Sequence, residues 1–333
     1  MYMFASPIEL SRAAALVAAL GLFGAASACS QSLALGREID LPGVTGRIDH
    51  LAIDLEGNRL FVAALAAGSL EVIDLRAGKR TGRFIPLSEP QGVAYLSAQR
   101  RVVVASGASG RVEAYESAPA AVASVDGMDD ADNVRIDPGA DRVVVGYGHA
   151  LAVLDARTLA VTRRIDLPGH PEAFELDPVR GRAYVNVPSA GQIVVVDRQR
   201  GTVAPSWPVT GATGNFAMAL DAASNRLYVA TRRPALLQAY DTTTGRRVSE
   251  LPIGADADDL FFDSERRLLY AVCGQGVIDV VRQRESDRLE VVQRVQTAPG
   301  ARTGLFVAPL STLFVAVPAR AGAPARIRAY TIK

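Results

Sequence analysis

The stretch from Arg47 to Asp74 reads RIDHLAIDLEGNRLFVAALAAGSLEVID. It holds three apolar runs, His50–Asp54, Arg59–Ala63 and Leu70–Asp74, which are separated by a turn and by a small Ala/Gly/Ser loop. Each run is short and rich in Val, Ile, Leu or Phe, which is typical of strands that are buried on both faces. The stretch therefore predicts three consecutive β-strands.

This pattern returns about every 40 residues to the end of the chain. The second run, RLFVA at 59–63, has six further copies, namely RVVVA (101–105), RVVVG (142–146), RAYVN (182–186), RLYVA (226–230), LLYAV (268–272) and LFVAV (313–317). The third run recurs as VEAYE, LAVLD, IVVVD, LQAYD, VIDVV and IRAY. Sheet-forming repeats of this length are typical of propeller blades, and no helical period appears after residue 30. The sequence predicts an all-β protein, a seven-bladed β-propeller.

A pentapeptide indicates how the ring closes. IDLPG occurs at Ile165–Gly169, where it supplies a fourth, outermost strand ahead of the fourth blade, and again at Ile39–Gly43, where no blade precedes it. The last copy of the repeat ends at a third strand, Arg326–Tyr330, with almost no chain left. We therefore expect Arg37–Leu41 to complete blade seven, which removes an exposed sheet edge.

Residues 1–28 have the features of a secretory signal peptide. Ala13–Ala28 is an uncharged apolar run that is short for a membrane span and ends in small residues before Cys29. Two interpretations remain open: lipidation of Cys29 at a bacterial lipobox, or ordinary cleavage after Ala28. Residues 29–36 are then a linker and residues 37–333 the propeller. Both interpretations predict a periplasmic or extracellular protein, and lipidation would add an outer-membrane anchor.

Composition and missing motifs exclude several classes of function. The chain has 36 Lys and Arg against 35 Asp and Glu, so it lacks the basic excess that nucleic-acid binding usually requires. We expect no nucleic-acid partner, and membrane contact only through a lipid anchor. The two cysteines form no CxxC motif, which excludes a zinc knuckle or covalent haem, and Cys273 is interpreted as a small buried hydrophobe. No GxSxG elbow is present.

The start of each innermost strand is expected to face the central channel at one mouth. The equivalent position in each repeat is occupied by Asp49, Gln91, Asp132, Glu172, Phe216, Asp258 and Thr303, with Asp259 and Arg302 as alternatives where the register is ambiguous. Polar neighbours on the same face are His50, Asn133, His170, Asn215 and Asp256, and the next loop adds His149, Arg232, Arg233 and Arg320. The predicted ligand-binding set is Asp49, His50, Gln91, Asp132, Asn133, His170, Glu172, Asn215, Asp258, Asp259 and Arg302.

Several chemistries suit this mouth. Four converging carboxylates repel one another unless a cation, an arginine or a shared proton intervenes. A hard divalent cation such as Ca²⁺ would suit oxygen ligands from Asp49, Asp132, Glu172 and Asp258. The histidines can instead bind a softer metal or act as general bases. In the remaining alternative, the polar residues only cap strands and hold channel water.

The repeats resemble those of the bacterial YVTN-repeat β-propellers. Tyr184-Val185-Asn186 and Leu227–Thr231 are similar to the second-strand consensus that names this family, and the resemblance covers residues 37–333. It implies a secreted or periplasmic seven-bladed propeller. Propellers of similar fold include lactonases, lyases and cofactor-binding proteins of the haem d1 and quinoprotein types, but no active-site residue of theirs can be matched here.

The leading hypothesis is a cell-envelope scaffold that binds a small molecule or a protein at the channel mouth. It depends on a complete fold signature with no complete catalytic motif. The alternative is a lactonase- or lyase-like enzyme, with or without a metal, that uses His50, His170 and Glu172 together with acidic partners.

Overall fold

A computed structural model describes residues 33–333, with the exception of residues 118, 138, 140, 285 and 286. The described residues form seven four-stranded antiparallel sheets in a ring, which confirms the seven-bladed β-propeller. The predicted signal peptide and Cys29 lie outside the described residues. Within the described part of the chain, no helix has the length and apolar character that a membrane span requires.

Each blade is a meander whose strands run outward from the channel. Blades one to three consist of β2 (Leu51–Asp54), β3 (Arg59–Ala64), β4 (Ser69–Asp74) and β5 (Lys79–Phe84); β6 (Pro90–Leu96), β7 (Arg101–Ser106), β8 (Arg111–Tyr115) and β9 (Ala121–Val125); and β10 (Val134–Ile136), β11 (Arg142–Tyr147), β12 (Ala150–Asp155) and β13 (Val161–Asp166). Short 3₁₀ turns span Leu65–Ala67, Pro188–Ala190 and Ala308–Leu310.

The remaining four blades repeat this arrangement. They consist of β14 (Phe174–Asp177), β15 (Arg182–Val187), β16 (Gln192–Asp197) and β17 (Thr202–Pro208); β18 (Thr213–Asp221), β19 (Arg226–Arg233), β20 (Ala235–Asp241) and β21 (Arg247–Pro252); β22 (Ala257–Asp263), β23 (Leu268–Cys273), β24 (Val277–Gln283) and β25 (Leu289–Gln296); and β26 (Gly304–Val307), β27 (Thr312–Val317), β28 (Ala325–Ile332) and β1 (Leu33–Leu41).

The apolar runs found in the sequence are the second and third strands of the blades. Six of the seven copies of the RLFVA run begin at the first residue of a second strand, and the seventh begins one residue inside β27. These strands are buried on both faces, as in β3, where Leu60, Phe61, Val62 and Ala63 are at most 1% exposed. Burial between two neighbouring blades explains why the runs are continuously apolar rather than alternating. Cys273, at the end of β23, is fully buried as predicted.

The N-terminal strand closes the ring as predicted. β1 pairs antiparallel with β28, with Ile39 opposite Ile327 and Leu41 opposite Ala325. The strand begins at Leu33 rather than Arg37, so residues 33–36, which were expected in the linker, belong to the sheet. A bulge between Leu35 and Arg37 interrupts the pairing, which explains why the apolar pattern does not mark the first part of this strand.

We predict that a chain lacking residues 33–41 aggregates and melts at a lower temperature than the same chain beginning at residue 33. The deletion leaves one edge of β28 unpaired and uncovers the core that Ile39 and Leu41, 2% and 0% exposed, help to bury. Burial of these two side chains contributes about 3–6 kcal/mol. Thermal melting and size-exclusion chromatography measure the effect.

The matched control is Asp40→Ala, which changes an exposed side chain of the same strand that lies 3.5 Å from Arg326. That variant should unfold within about 0.5 kcal/mol of the unchanged chain, because an exposed ion pair contributes little. Equal melting temperatures for the deleted and intact chains would contradict the closure role of β1.

Candidate binding site at the channel mouth

The starts of the innermost strands hold equivalent residues at equivalent places. The backbone N–H of Asp49 donates to Ala63, and the N–H of Ala63 donates to the carbonyl of His50. The same exchange of bonds places Asp132 and Asn133 against Gly146 in blade three, and Glu172 and Ala173 against Asn186 in blade four. These bonds extend each blade by one residue pair beyond the innermost strand. They fix the direction in which the polar side chains of these residues point.

In blade seven, the residue equivalent to Asp49 lies one position before Thr303, which was the residue favoured from the sequence. The N–H of Ala316 donates to the carbonyl of Thr303, so Thr303 takes the place that His50 has in blade one. Thr303 is 1% exposed, and its hydroxyl donates to the carbonyl of Ile48. Arg302 therefore occupies the position of Asp49, which was the alternative register. The loop ahead of β26 has no apolar run that would have settled this from the sequence.

Nine residues from five blades line a small cavity at this mouth, and we call them the mouth cluster. They are Arg47, Asp49, His50, Asp132, Asn133, Glu172, Ala173, Phe216 and Asp258. The cavity has a volume of about 20 Å³, which is room for roughly one water-sized group. The structure thus brings together six members of the predicted ligand-binding set: Asp49, His50, Asp132, Asn133, Glu172 and Asp258.

His50 lies among three carboxylates. Its Nε2 atom is 3.7 Å from Asp132 Oδ1 and 3.9 Å from Asp49 Oδ1, and its Nδ1 atom is 3.7 Å from Asp259 Oδ1. Burial of the ring disfavours the charged form, but the contact with Asp132 and the charges of Asp259 and Asp49 outweigh it. Together they raise the pKa of His50 to about 10. At neutral pH His50 is therefore an imidazolium, with no lone pair to accept a proton as a general base.

Two arginines neutralise Asp258. Arg232 Nη2 is 2.5 Å and Arg302 Nε is 3.0 Å from its carboxylate oxygens. Both arginines also contact Asp256, at 3.1 Å and 3.2 Å. The guanidinium of Arg232 lies over the ring of Phe216, with 3.6 Å between Cζ and the ring centroid. This group joins blades five, six and seven at the mouth, and it gives Asp258 protein cations as partners.

Asp49 and Glu172 differ in their proton affinity. Burial raises the pKa of Asp49 to about 6; Asp132 adds to this increase, whereas His50 and Arg47 oppose it. Arg47 Nη2 lies 2.8 Å from Asp49 Oδ2. Burial, assisted by the charges of Asp132 and Asp258, raises the pKa of Glu172 to about 8. At neutral pH Asp49 is thus mainly ionised and Glu172 mainly protonated, so Glu172 can donate a hydrogen bond.

The charges at this mouth are close to balanced. The ionisable aspartates are Asp49, Asp132, Asp256, Asp258 and Asp259, and the cations are Arg47, Arg232, Arg302 and protonated His50. Burial raises the pKa of Asp259, which lowers its share of negative charge further. Of the neutralising partners that the sequence left open, arginines serve Asp49 and Asp258. Among residues 33–333, with the five exceptions given above, no group of three His, Cys, Asp or Glu side chains has a geometry that would hold a metal ion.

Among the residues that the structure describes, three buried acceptors of cavity-lining residues make no hydrogen bond, and two of them also lack the close arginine that Asp49 Oδ2 has in Arg47, at 2.8 Å. Asp132 Oδ1 and Asn133 Oδ1 are buried and make no hydrogen bond within the described residues, although Asp132 and Asn133 are only 8% and 3% exposed. The nearest cationic nitrogen to Asp132 Oδ1 is that of His50, at 3.7 Å, which is too far for a direct hydrogen bond. Buried acceptors are nearly always paired in proteins, so these two atoms point to a donor supplied by water or by a ligand.

Three further residues of the predicted ligand-binding set, Gln91, Asn215 and His170, lie outside the cavity lining. Gln91 is buried with its side-chain amide against Gly107 of its own blade. Asn215 donates to Asn186 Oδ1 and to the carbonyl of Gln192, both at 3.0 Å, and so ties blade five to blade four. His170 Nδ1 contacts the carbonyl of Gly148 at 3.0 Å and Asp130 at 3.3 Å, outside the cavity lining.

Sequence reasoning missed Arg47. This residue precedes the innermost strand and belongs to no repeated position, so the periodicity gave it no weight. The available signal was its sequence spacing, two residues before Asp49, which suits an ion pair in extended backbone.

Comparison of the chain with protein-family models gives no match, and a search among curated proteins finds no similar sequence. The fold and the geometry of the mouth are therefore the basis for assigning a function.

The mouth makes stability depend on pH. The pKa of His50 is raised above its unfolded value of 6.5, so its contribution to stability is complete below about pH 6.5 and is lost as pH rises through about 10. We predict that the free energy of unfolding falls between pH 7 and 10, and that His50→Gln flattens this fall. Denaturant unfolding at several pH values measures it.

The imidazole NMR signals give an independent readout, because the chain has three histidines. The signals of His50 should stay those of an imidazolium up to about pH 9, and Asp132→Asn should move the titration toward pH 6.5. His149→Gln and His170→Gln assign the remaining signals. Titration of His50 near pH 6.5 in the unchanged protein would refute the three-carboxylate arrangement.

Proposed function

We propose that the protein is an envelope β-propeller of the YVTN-repeat type that binds a small hydroxyl-bearing molecule at the channel mouth. The observation that carries this proposal is the pair of buried acceptors without donors, Asp132 Oδ1 and Asn133 Oδ1, which belong to residues lining one cavity. A ligand hydroxyl that donates to one of them satisfies a group whose burial is otherwise unfavourable. The protonated carboxyl of Glu172 is available to donate to the same ligand oxygen.

The charge balance favours a neutral ligand group. Arg47, Arg232, Arg302 and the His50 imidazolium already accompany the carboxylates, so an entering ammonium would meet four cations. An entering carboxylate would instead meet the aspartates of the cluster. A hydroxyl adds no net charge to a group of charges that is already compensated, and this keeps the cost of its burial low.

The cavity volume limits how much of the ligand enters. About 20 Å³ accepts one hydroxyl and no more, so the rest of the molecule lies outside the mouth. The side chain of Arg47, which is 43% exposed, lies at this opening and can contact the outer part of the ligand. The site therefore binds one end of a molecule.

An envelope location rests on the signal peptide of residues 1–28. Secretion leaves the binding face open to periplasmic or extracellular solutes, and lipidation of Cys29 would hold the propeller at the outer membrane. Membership of the YVTN-repeat family rests on the second-strand sequences around Tyr184 and Tyr228. Neither proposal depends on the identity of the ligand.

A catalytic role is the second candidate, because two acids that line the same cavity differ in proton affinity. Glu172, with its pKa near 8, can donate a proton at neutral pH, and Asp49, with its pKa near 6, can accept one. In a lyase- or lactonase-like reaction, the fixed imidazolium of His50 would stabilise developing negative charge. His50 and His170 do not serve as the bases in this version, since His50 is protonated and His170 lies outside the cavity lining.

Three probes of three carbon atoms each test the binding proposal: glycerol, and propylammonium and propionate, which offer only a charged group to the cavity. Glycerol should shift the His50 imidazole signals in a saturable way, and the ammonium and carboxylate analogues should bind at least about tenfold more weakly, because each adds an uncompensated charge. NMR titration of the purified protein measures the three affinities.

Asp132→Asn and Asn133→Ala should each weaken glycerol binding about tenfold, which corresponds to the loss of one hydrogen bond. The matched control is Asp166→Asn, since Asp166 is an exposed aspartate on the outermost strand of blade three. If glycerol shifts the signals equally in all three variants, or not at all in the unchanged protein, the mouth is a water-filled group of strand caps.

A further inference from the structure

The seven blades can be compared position by position along their second strands. The second residue of the strand packs against the preceding blade, as Leu60 does against blade seven, and the third packs against the following blade, as Phe61 does against Tyr95. The second residues are Leu60, Val102, Val143, Ala183, Leu227, Leu269 and Leu313. The third residues are Phe61, Val103, Val144, Tyr184, Tyr228, Tyr270 and Phe314.

Aromatic rings fill four of the interfaces between blades. Ring centroids are 5.6 Å apart for Phe61 and Tyr95, 5.9 Å for Tyr228 and Phe262, and 5.2 Å for Tyr270 and Phe306. Tyr184 packs on Trp207 at 5.2 Å and shares a core cluster with residues of blade five. An aromatic third residue is thus the usual filling of this space.

Two interfaces lack an aromatic third residue: the one between blades two and three has Val103, and the one between blades three and four has Val144. In the second of these the facing second residue is Ala183, the smallest side chain at that position in any blade, and the aromatic ring of the core cluster is that of Phe174. Leu176 stands where three other blades have an aromatic residue, Tyr95, Phe262 or Phe306, and where the remaining three have Ile53, Ile136 or Leu220. A cavity of about 100 Å³ remains, lined by Val144, Leu151, Val153, Leu176, Ala183 and Val196. Apolar cavities of roughly 150 Å³ bind benzene, so this smaller space takes part of a small aromatic ring and leaves the rest at the opening.

The opening of the cavity is positively charged. Arg142, Arg163 and Arg198 lie around it with a single acid, Asp137. Arg198 forms an ion pair with Asp137, which leaves two cations in excess. Arg163 is held in place because its Nη1 donates to the carbonyls of Arg198 and Gln199, at 3.0 Å and 2.9 Å. The N–H groups on its Nε and Nη2 atoms can donate to a carboxylate.

Arg142 has a counterpart that indicates its role. It is the first residue of its strand, as Arg59 is in blade one, and Arg59 Cζ lies 5.5 Å from the ring of Phe61 and 6.0 Å from that of Tyr95. A ring inside the cavity would occupy the equivalent space, with the guanidinium of Arg142 over its face. Cations over aromatic faces are attracted by the ring quadrupole.

We propose that the cleft between blades three and four binds a small aromatic carboxylate. The ring takes the place of an aromatic third residue, and the carboxylate meets Arg163, whose charge is not matched by Asp137, at the opening. The cavity shares no lining residue with the mouth cluster, so this site and the proposed mouth ligand are independent.

Benzoate is the probe, and benzylammonium is its matched control of opposite charge. Benzoate should bind the purified protein saturably, with a dissociation constant of about 1 mM, as expected for a ligand of its size. Benzylammonium should bind at least about tenfold more weakly. Titration calorimetry or ligand-observed NMR measures both affinities.

Val144→Tyr inserts the residue found at this position in three other blades. It should raise the melting temperature and reduce benzoate affinity at least about tenfold, because the side chain fills the ligand space. Ala183→Leu provides a second filling variant from the other side of the cleft, and Arg163→Gln should weaken benzoate about tenfold without filling it. Asp132→Asn, in the mouth, should leave benzoate affinity unchanged.

Absence of saturable benzoate binding to the unchanged protein would overturn the proposal. So would equal affinities for benzoate and benzylammonium, or wild-type affinity in both filling variants. A loss of glycerol binding at the mouth, with benzoate binding intact, would contradict only the mouth proposal.

Discussion

The pairing of β1 with β28 is the constraint on which the ring depends. It joins residues almost 300 positions apart, from Leu33–Ile332 at one end to Leu41–Ala325 at the other. Each blade buries its two faces against its neighbours, so a ring left open would expose two faces and one sheet edge. Closure also brings the starts of the innermost strands to one small mouth. The polar cluster there exists because strands from different blades cannot move apart.

Within that mouth, the chemistry follows from crowding of charges in a poorly solvated space. Carboxylates from several blades compete for a few cations, and the result differs for each of them. Asp258 has two arginines, Asp132 shares His50, and Glu172 has no cation of its own and holds its proton at neutral pH. One repeated position thus carries different protonation states, because the neighbouring blades supply different partners.

The repeat also makes each blade a reference for the others. Aromatic pairs such as Phe61–Tyr95 and Tyr270–Phe306 show what normally fills the space between blades. Against that pattern, Val144 and Ala183 leave a space that no local feature of blade three or blade four reveals by itself. A cavity of this kind is unfavourable for packing unless a ligand occupies it.

The sequence alone determined the seven blades, the second and third strands and the closing strand, because these depend on periodicity and on short apolar runs. It also indicated that Asp49, Asp132, Glu172 and Asp258 share one mouth of the channel, since a repeated position points in a repeated direction. Only the tertiary structure decided which side chains meet across blades: Arg232 and Arg302 with Asp258, and His50 charged among carboxylates of blades one, three and six. Such contacts depend on distances between blades, and one-dimensional spacing does not encode them.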